Sequence, residues 1–171
     1  MKKAVFFDRD GVINARTVGG YIRNWERFRI LPNVGETLAK VKSLGYLAII
    51  ITNQRGVGVG LMSEEELTHI HQKMQSHFKE HFGVEFDDIY AAIDADKQAP
   101  RRKPSPAMLL EAKAKWDIDM AGSWMIGDTF SDIEAGNHAG VKTAFLVNPN
   151  ENPPKDATIL LENVLDITDH L

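Results

Sequence analysis

The stretch VFFDRDGVIN, residues Val5 to Asn14, places two acidic residues directly after a short apolar run. The apolar run has the length and composition of a buried β-strand. Asp8 and Asp10 are separated by a single residue, and two carboxylates held so close repel each other unless a cation lies between them. We therefore expect a functional site where this strand ends.

Short apolar runs alternate with helical patterns along the chain, and this alternation predicts an α/β fold with a mostly parallel central sheet. The predicted strands are Ala4 to Phe7, Leu47 to Ile51, Ile89 to Ile93, Trp124 to Ile126 and Thr143 to Val147. Four helices are predicted. The first is capped by Asn33 and ends at Gly45, and the second is capped by Ser63 and ends at Gly83. The third runs from Ser105-Pro106 to about Trp116, and the fourth covers about Ser131 to Ala139. A loop over Asn148 to Lys155 then leads to a short strand or helix near the C-terminus.

The length of 171 residues predicts one domain over residues 1–171. The chain has no cysteine, so it forms no disulfide and no thiolate metal site. Its N-terminal apolar run is too short for a signal peptide or a membrane span, and we expect a cytoplasmic monomer with no membrane partner. The net charge of -4 does not favour nucleic acid as a partner, although Arg101, Arg102 and Lys103 form a small basic patch.

Polar side chains follow four of the predicted strands, and in open parallel sheets ligands bind outside the carboxyl ends of the strands. In chain order they are Asp8 and Asp10, Thr52 and Asn53, Lys103, and Asp128 and Asp132. Mg²⁺ prefers oxygen ligands, so Asp8, Asp10 and Asp128 form a predicted set of ligands. A hydroxyl at Thr52 and a fixed cation at Lys103 would stabilise the charge of a phosphoryl group beside that ion. The pattern predicts a phosphoryl-transfer site.

These residues resemble the four sequence motifs of the haloacid dehalogenase (HAD) superfamily of aspartate-nucleophile phosphatases. The matching segments are DRDG at Asp8 to Gly11, Thr52 in IIITNQ, Lys103 in RRKPSP, and Gly127-Asp128 with Asp132 in GDTFSD. The resemblance implies a Rossmann-like three-layer sandwich and a Mg²⁺-dependent phosphomonoester hydrolase. It also implies a two-step reaction through an aspartyl-phosphate intermediate.

The resemblance assigns a role to each acidic residue. Asp8 would attack phosphorus, and Asp10 would protonate the leaving alcohol and then activate the water that hydrolyses the intermediate. Mg²⁺ would be held by Asp8, by Asp128 and by the main-chain carbonyl of Asp10, which frees the Asp10 side chain for proton transfer. Asp132 would orient the shell around the ion.

Within the superfamily, the segments resemble the capless branch, subfamily IIIA, which contains heptose 1,7-bisphosphate phosphatase and histidinol phosphatase. Only about 25 residues separate the first predicted strand from the first helix, and about 20 separate the second helix from Lys103, which leaves no room for a cap domain. The expected substrate is a small sugar phosphate such as D-glycero-D-manno-heptose 1,7-bisphosphate. Histidinol phosphate is the alternative, and a polynucleotide 3′-phosphate is less favoured because of the acidic charge balance.

Without a cap, substrate selection falls to loops over Val18 to Arg27, Asn53 to Gly60 and Asp94 to Lys103. The resemblance implies that the substrate contacts Asn53, Gln54, Arg55 and Arg102, and we add Tyr21, which has an aromatic face for a sugar. Members of this branch commonly carry a zinc loop of cysteines and a histidine before the Arg-Lys pair. The corresponding segment, AAIDADKQAPRRKP, has neither residue type, so we expect no zinc.

Three other patterns have plainer interpretations. A receiver-type signalling domain also combines acidic residues, a threonine and a lysine, but its lysine comes last, whereas Lys103 precedes Asp128. His77 and His81 lie four residues apart on a predicted helix, and a solvated polar face is the favoured interpretation. The GVGVG run, Gly56 to Gly60, lacks the dinucleotide-binding spacing, and we interpret it as a flexible rim of the pocket.

Overall fold

A parallel six-stranded sheet lies at the centre of the computed structural model, which describes residues 1–17 and 20–171. Its strands are β1 (Ala4–Phe7), β2 (Leu47–Asn53), β3 (Asp88–Ala92), β4 (Trp124–Gly127), β5 (Lys142–Leu146) and β6 (Ile159–Leu161). Their order across the sheet is β3-β2-β1-β4-β5-β6, and every neighbouring pair is parallel. The expected "mostly parallel" sheet is thus parallel throughout the described residues.

Strand β1 lies between two partners and is buried on both faces. Phe7 pairs with Ile50 of β2 on one side and with Ile126 of β4 on the other. All four residues of the strand are fully buried. Burial on both faces explains why every residue of β1 is apolar, instead of apolar and polar residues alternating along the strand.

Helices cover both faces of the sheet. They are α1 (Val34–Ser43), α2 (Arg55–Gly58), α3 (Glu64–Phe82), α4 (Ala107–Trp116) and α5 (Phe130–Ala139), with 3₁₀ helices at Trp25–Arg27 and Val164–His170. Val5 and Phe7 pack in one core cluster with α1, α3 and the C-terminal 3₁₀ helix, whereas Ala4 and Phe6 pack with α4 and α5. The predicted Rossmann-like three-layer sandwich is therefore confirmed.

The described residues include no cap domain at the positions where one would be inserted. Within the described part of the β1–α1 connection, the one regular element is the 3₁₀ helix Trp25–Arg27. Residues 93–106, all described, connect β3 to α4 without a helix or strand. Val18 and Gly19, the first two residues of a predicted specificity loop, lie outside the described residues. None of the described helices has the length and hydropathy needed to cross a membrane.

Some element boundaries differ from the predictions. Asn33 precedes α1 but has φ +67°, in the left-handed region, and its side chain makes no capping hydrogen bond. Asn33 is therefore at the predicted N-cap position, but the side-chain hydrogen bond that normally accompanies a cap with extended backbone is absent. Helix α4 begins at Ala107, one residue after the predicted start at Pro106. The GVGVG run contributes to a helical turn, α2, that was not predicted.

Candidate active site

The candidate active site lies at the carboxyl ends of β1, β2 and β4. Asp8 follows β1, Asn53 ends β2, and Asp128 follows β4. Lys103 reaches this edge from the β3–α4 connection, where its Nζ donates to the main-chain oxygen of Ile51 at 2.9 Å. The residues predicted from separate motifs therefore come together beside a pocket of about 260 Å³.

A buried lysine joins two of the carboxylates. Nζ of Lys103 donates to Asp8 Oδ1 at 2.8 Å and to Asp132 Oδ1 at 2.6 Å, and all three side chains are at most 7% exposed. Burial raises the pKa of Asp8 well above its usual value, and the charges of Asp132 and Asp128 raise it further, against the lowering effect of Lys103. Burial by itself would lower the pKa of Lys103, but Asp132 and Asp8 raise it, so the lysine stays charged.

Three donors surround the side chain of Asp10. Arg9 Nη2 and Asn14 Nδ2 both donate to Oδ1 at 2.9 Å, and Gln54 Nε2 donates to Oδ2 at 2.9 Å. Burial would raise the pKa of Asp10, but the charge of Arg9 and these hydrogen bonds together lower it below its usual value. The surroundings therefore favour the ionised carboxylate, which is the form that accepts a proton.

Arg9 is itself fully buried behind the site. Its Nη1 lies 3.2 Å from Nε2 of His71 on α3, and its guanidinium carbon lies 5.5 Å from the centre of the Phe28 ring. Burial and the charge of Arg9 lower the pKa of His71 to about 3. His71 is therefore neutral at physiological pH, and its Nε2 accepts the hydrogen bond from Arg9.

Asp128 is bound by Arg16 through both carboxylate oxygens. Arg16 Nε donates to Oδ2 at 2.8 Å and Nη2 donates to Oδ1 at 2.9 Å. Gly11 lies against this pair with φ +90°, and a Cβ at this position would be only 1.9 Å from Asp128 Oδ2. The fourth residue of DRDG must therefore be glycine for two reasons, its backbone conformation and its closeness to Asp128.

Asp132 belongs to a capping box at the start of α5. Its Oδ2 accepts hydrogen bonds from the main-chain nitrogen of Thr129 at 3.1 Å and from Thr129 Oγ1 at 2.8 Å. Thr129 Oγ1 accepts in return from the main-chain nitrogen of Asp132. The helix start thus holds one carboxylate oxygen of Asp132, while Lys103 binds the other oxygen.

Carboxylate oxygens of Asp8, Asp128 and Asp132 all lie within 4.8 Å of one another. Three oxygen donors at this spacing suit a hard divalent ion such as Mg²⁺, which commonly takes one or two carboxylates together with waters and phosphate. The Asp10 side chain is not part of the cluster, because its oxygens face Arg9, Asn14 and Gln54. The donor set is therefore compatible with Mg²⁺.

The five residues predicted to contact the substrate all line the pocket, namely Tyr21, Asn53, Gln54, Arg55 and Arg102. Two of them also have structural contacts. Asn53 exchanges hydrogen bonds with the main chain of Lys103, at 3.2 and 3.0 Å, and Arg55 Nε donates to the main-chain oxygen of Ala95 at 2.7 Å. Thr52 is fully buried beside the pocket, where its hydroxyl accepts from Gln54 Nε2 at 2.8 Å.

Sequence reasoning missed four residues that contact the predicted ones. Arg9 and Asn14 hold Asp10, Thr129 holds Asp132, and Arg16 holds Asp128. A capping-box pattern in TFSD was the available signal for Thr129. No sequence signal pointed to Arg16, because its contact joins positions 112 residues apart.

Comparisons of the chain with a family and with individual known proteins agree with one another. Residues 100–165 match the HAD-hydrolase-like family. The chain is 37% identical to D-glycero-beta-D-manno-heptose-1,7-bisphosphate 7-phosphatase of Vibrio cholerae, covering 99% of this chain and 96% of the relative. It is 39% identical to D-glycero-alpha-D-manno-heptose-1,7-bisphosphate 7-phosphatase of Burkholderia mallei, covering 85% of this chain and 79% of the relative.

Solved structures have the same fold. D,D-heptose 1,7-bisphosphate phosphatase from B. bronchiseptica, complexed with magnesium and phosphate, superposes with a TM-score of 0.88 at 24% identity, covering 98% of this chain and 97% of that one. A putative HAD-like phosphatase from Mesorhizobium loti superposes with a TM-score of 0.84 at 25% identity, covering 98% of this chain and 84% of that one.

Proposed function

Because the chain belongs to the family of D-glycero-D-manno-heptose-1,7-bisphosphate 7-phosphatases, HAD-like phosphatases, we propose that it hydrolyses the 7-phosphate ester of such a heptose bisphosphate. The observation that carries the proposal is the buried contact of Lys103 with Asp8 beside the carboxylate cluster. The adjoining pocket is lined by Arg16, Arg55 and Arg102, whose charges suit a small sugar with two phosphate groups.

Mg²⁺ would be held by Asp8, by Asp128 and by the main-chain carbonyl of Asp10, with Asp132 orienting the shell around it. The clustering of carboxylate oxygens from Asp8, Asp128 and Asp132 supports this assignment. A bound Mg²⁺ supplies positive charge that offsets the repulsion among these carboxylates and the charge of the phosphate. We propose no zinc, since the chain has no cysteine.

In the first step, a carboxylate oxygen of Asp8 attacks phosphorus, and the bond between phosphorus and the sugar oxygen breaks. Asp10 gives its proton to that leaving oxygen, and an aspartyl-phosphate remains on Asp8. Lys103, already bonded to Asp8, and Thr52, whose oxygen accepts from Gln54, would donate to the phosphoryl oxygens.

In the second step, water attacks the phosphorus of the aspartyl-phosphate while Asp10 accepts its proton. The bond between phosphorus and Asp8 breaks, which restores the free carboxylate and releases inorganic phosphate. The lowered pKa of Asp10 suits this proton-accepting role. For the first step, the negative charge of an entering phosphate raises the pKa of Asp10 and favours its protonated form.

The proposal is tested by measuring phosphate release from a panel of esters, with and without Mg²⁺. The panel contains both anomers of the heptose 1,7-bisphosphate, since the relatives include beta and alpha enzymes, together with histidinol phosphate and a 3′-phosphorylated oligonucleotide. We expect a Mg²⁺-dependent preference for one heptose anomer, abolished in Asp8→Asn. A preference for histidinol phosphate, or activity that persists in Asp8→Asn, would contradict the proposal.

A further inference from the structure

Arg16 lies between two proposed metal ligands and the pocket. Its guanidinium covers both oxygens of Asp128, and its Nη2 is 3.8 Å from Asp8 Oδ2. The Arg16 side chain is 51% exposed, and it lines the pocket in which a phosphate would bind. It is therefore in reach of the carboxylate cluster and of an incoming ligand at the same time.

A divalent ion and the Arg16 guanidinium compete for the same carboxylates. An ion held by the cluster of Asp8, Asp128 and Asp132 would lie close to the guanidinium, and like charges at short range repel. The oxygens of Asp132 already accept bonds from Lys103 and Thr129, so Asp128 is an important ligand for the ion. We therefore expect ion binding to weaken the bidentate pair of Arg16 with Asp128.

A guanidinium released from Asp128 is free to bind a phosphate group. Two parallel N–H groups of arginine match a phosphate as well as they match a carboxylate. Lys103 does not offer the same contact, because it is buried and its ammonium lacks the two parallel N–H groups of a guanidinium. Arg16 is half exposed, so its side chain has room to move along the pocket wall.

We propose that Arg16 leaves Asp128 when Mg²⁺ binds and instead binds the phosphate group of the substrate, so that ion and phosphate bind cooperatively. The inference rests on the proposed function and adds a substrate-contacting residue to it. Cooperativity of this kind is reciprocal: whatever factor phosphate adds to the affinity for Mg²⁺, Mg²⁺ adds to the affinity for phosphate. The ion pair therefore disfavours ion binding until a phosphate is available for Arg16.

Calorimetric titration of Mg²⁺ into the protein, with and without inorganic phosphate, measures this coupling without any turnover. Arg16→Gln removes the competing charge, so we expect it to bind Mg²⁺ alone about fivefold more tightly than the unmodified protein. We also expect the gain in Mg²⁺ affinity caused by phosphate to be about fivefold smaller in this variant. Arg16→Lys keeps the charge without the paired donors and should give intermediate values.

Arg29→Gln is the matched control, because it removes one charge from an exposed position of the same β1–α1 connection, outside the predicted specificity loops. Its Mg²⁺ affinity and coupling should equal those of the unmodified protein. Equal Mg²⁺ affinity and equal coupling in Arg16→Gln and the unmodified protein would overturn the inference. Absence of Mg²⁺ binding in the unmodified protein would overturn both this inference and the Mg²⁺ site, whereas cooperative binding without heptose bisphosphate hydrolysis would overturn the substrate assignment alone.

Discussion

Lys103 shows how single residues control the chemistry of the site. It is the cation that donates to both Asp8 and Asp132, and its charge opposes the effect of burial on the pKa of Asp8. Its own burial is tolerated because Asp8 and Asp132 keep it charged. The side chain thus contributes to the stability of the fold and to the ionisation of the proposed nucleophile.

Lys103→Met should therefore lower both stability and activity. Removing one partner leaves uncompensated charge in the interior, and breaking a buried ion pair costs about 3–5 kcal/mol. Urea unfolding measures the loss, and phosphate release measures the activity. Lys113→Met, at an exposed position of α4, is the control and should leave both unchanged. Near-normal stability of Lys103→Met would refute the coupling between these charges.

Gly11→Ala should disturb the site through a single methyl group. The new Cβ would overlap Asp128 Oδ2, whereas a Cβ at Gly45, which has a similar φ of +84°, meets no atom within 4 Å. Both variants should lose about 1–2 kcal/mol from the left-handed backbone. Only Gly11→Ala should also lose activity, by about 100-fold, since small displacements in a site have effects of that size. Equal activity of the two variants would contradict this placement of Asp128.

The residue types of the site could be predicted from the chemistry that they must perform, but the contacts between these residues could not. Asp8 and Asp10 were identifiable because polar residues follow four predicted strands in the order of the HAD motifs. The link from Arg16 to Asp128 depends on how a loop returns to the sheet, and no local pattern encodes that path.

The first turn of one helix also holds a side chain of the site in position. Both α3 and α5 begin with a capping box, formed by Ser63 with Glu66 and by Thr129 with Asp132. Neither residue of the first box lines the pocket, and that box stabilises its own helix. The second box also fixes Asp132, which binds Lys103 through its other oxygen.

Thr129→Ala and Ser63→Ala should therefore separate stability from function. Loss of an N-cap hydroxyl costs about 1 kcal/mol, so both variants should unfold at a lower urea concentration. Thr129→Ala should in addition lower kcat, because Asp132 loses a donor, and Thr129→Ser should restore it. The pair of measurements is urea unfolding and phosphate release. A similar kcat in both alanine variants would show that the second box has no role in positioning.

The elements themselves were predictable where local signals agreed. The cap at Ser63 and the end at Gly83 both appear as expected. Asn33 takes the predicted N-cap position without a side-chain capping bond, because it adopts a left-handed conformation, which Asn tolerates better than most residues. Helix α2 was missed because two glycines in four residues normally disfavour a helix, yet this turn packs against residues 93–95.

At the scale of the whole molecule, the strand order positions the site. The chain runs from β1 to β2 and β3 on one side and then crosses to β4, β5 and β6 on the other side, so a crevice opens above β1. Asp8 lies at that point, with Asn53 and Asp128 on either side. The sequence predicts that the strands are parallel but not their order, because order depends on contacts between distant segments. From the sequence alone, the crevice follows only from the general rule that ligands bind at the carboxyl ends of parallel strands.

Acid should destabilise the whole fold through the buried His71. The unfolded chain takes up a proton on this residue near pH 6.5, whereas the folded protein resists it down to about pH 3. Its contribution is complete above pH 6.5 and declines by about 1.4 kcal/mol per pH unit as the pH falls towards 3. Urea unfolding between pH 7 and pH 5 should show a smaller decline in His71→Gln, with the exposed His69→Gln as the substitution control. An identical decline in His71→Gln and the unmodified protein would refute a neutral, buried His71.

The central claim, that Asp8 is the nucleophile, is tested most directly by trapping the intermediate. The protein is mixed with Mg²⁺ and heptose 1,7-bisphosphate, quenched in acid within the first turnover and reduced with borohydride, which converts an aspartyl-phosphate to homoserine. Peptide mass spectrometry should then find homoserine at position 8, and only when both Mg²⁺ and substrate were present. Unmodified Asp8 after rapid phosphate release, or homoserine at another aspartate, would contradict the account.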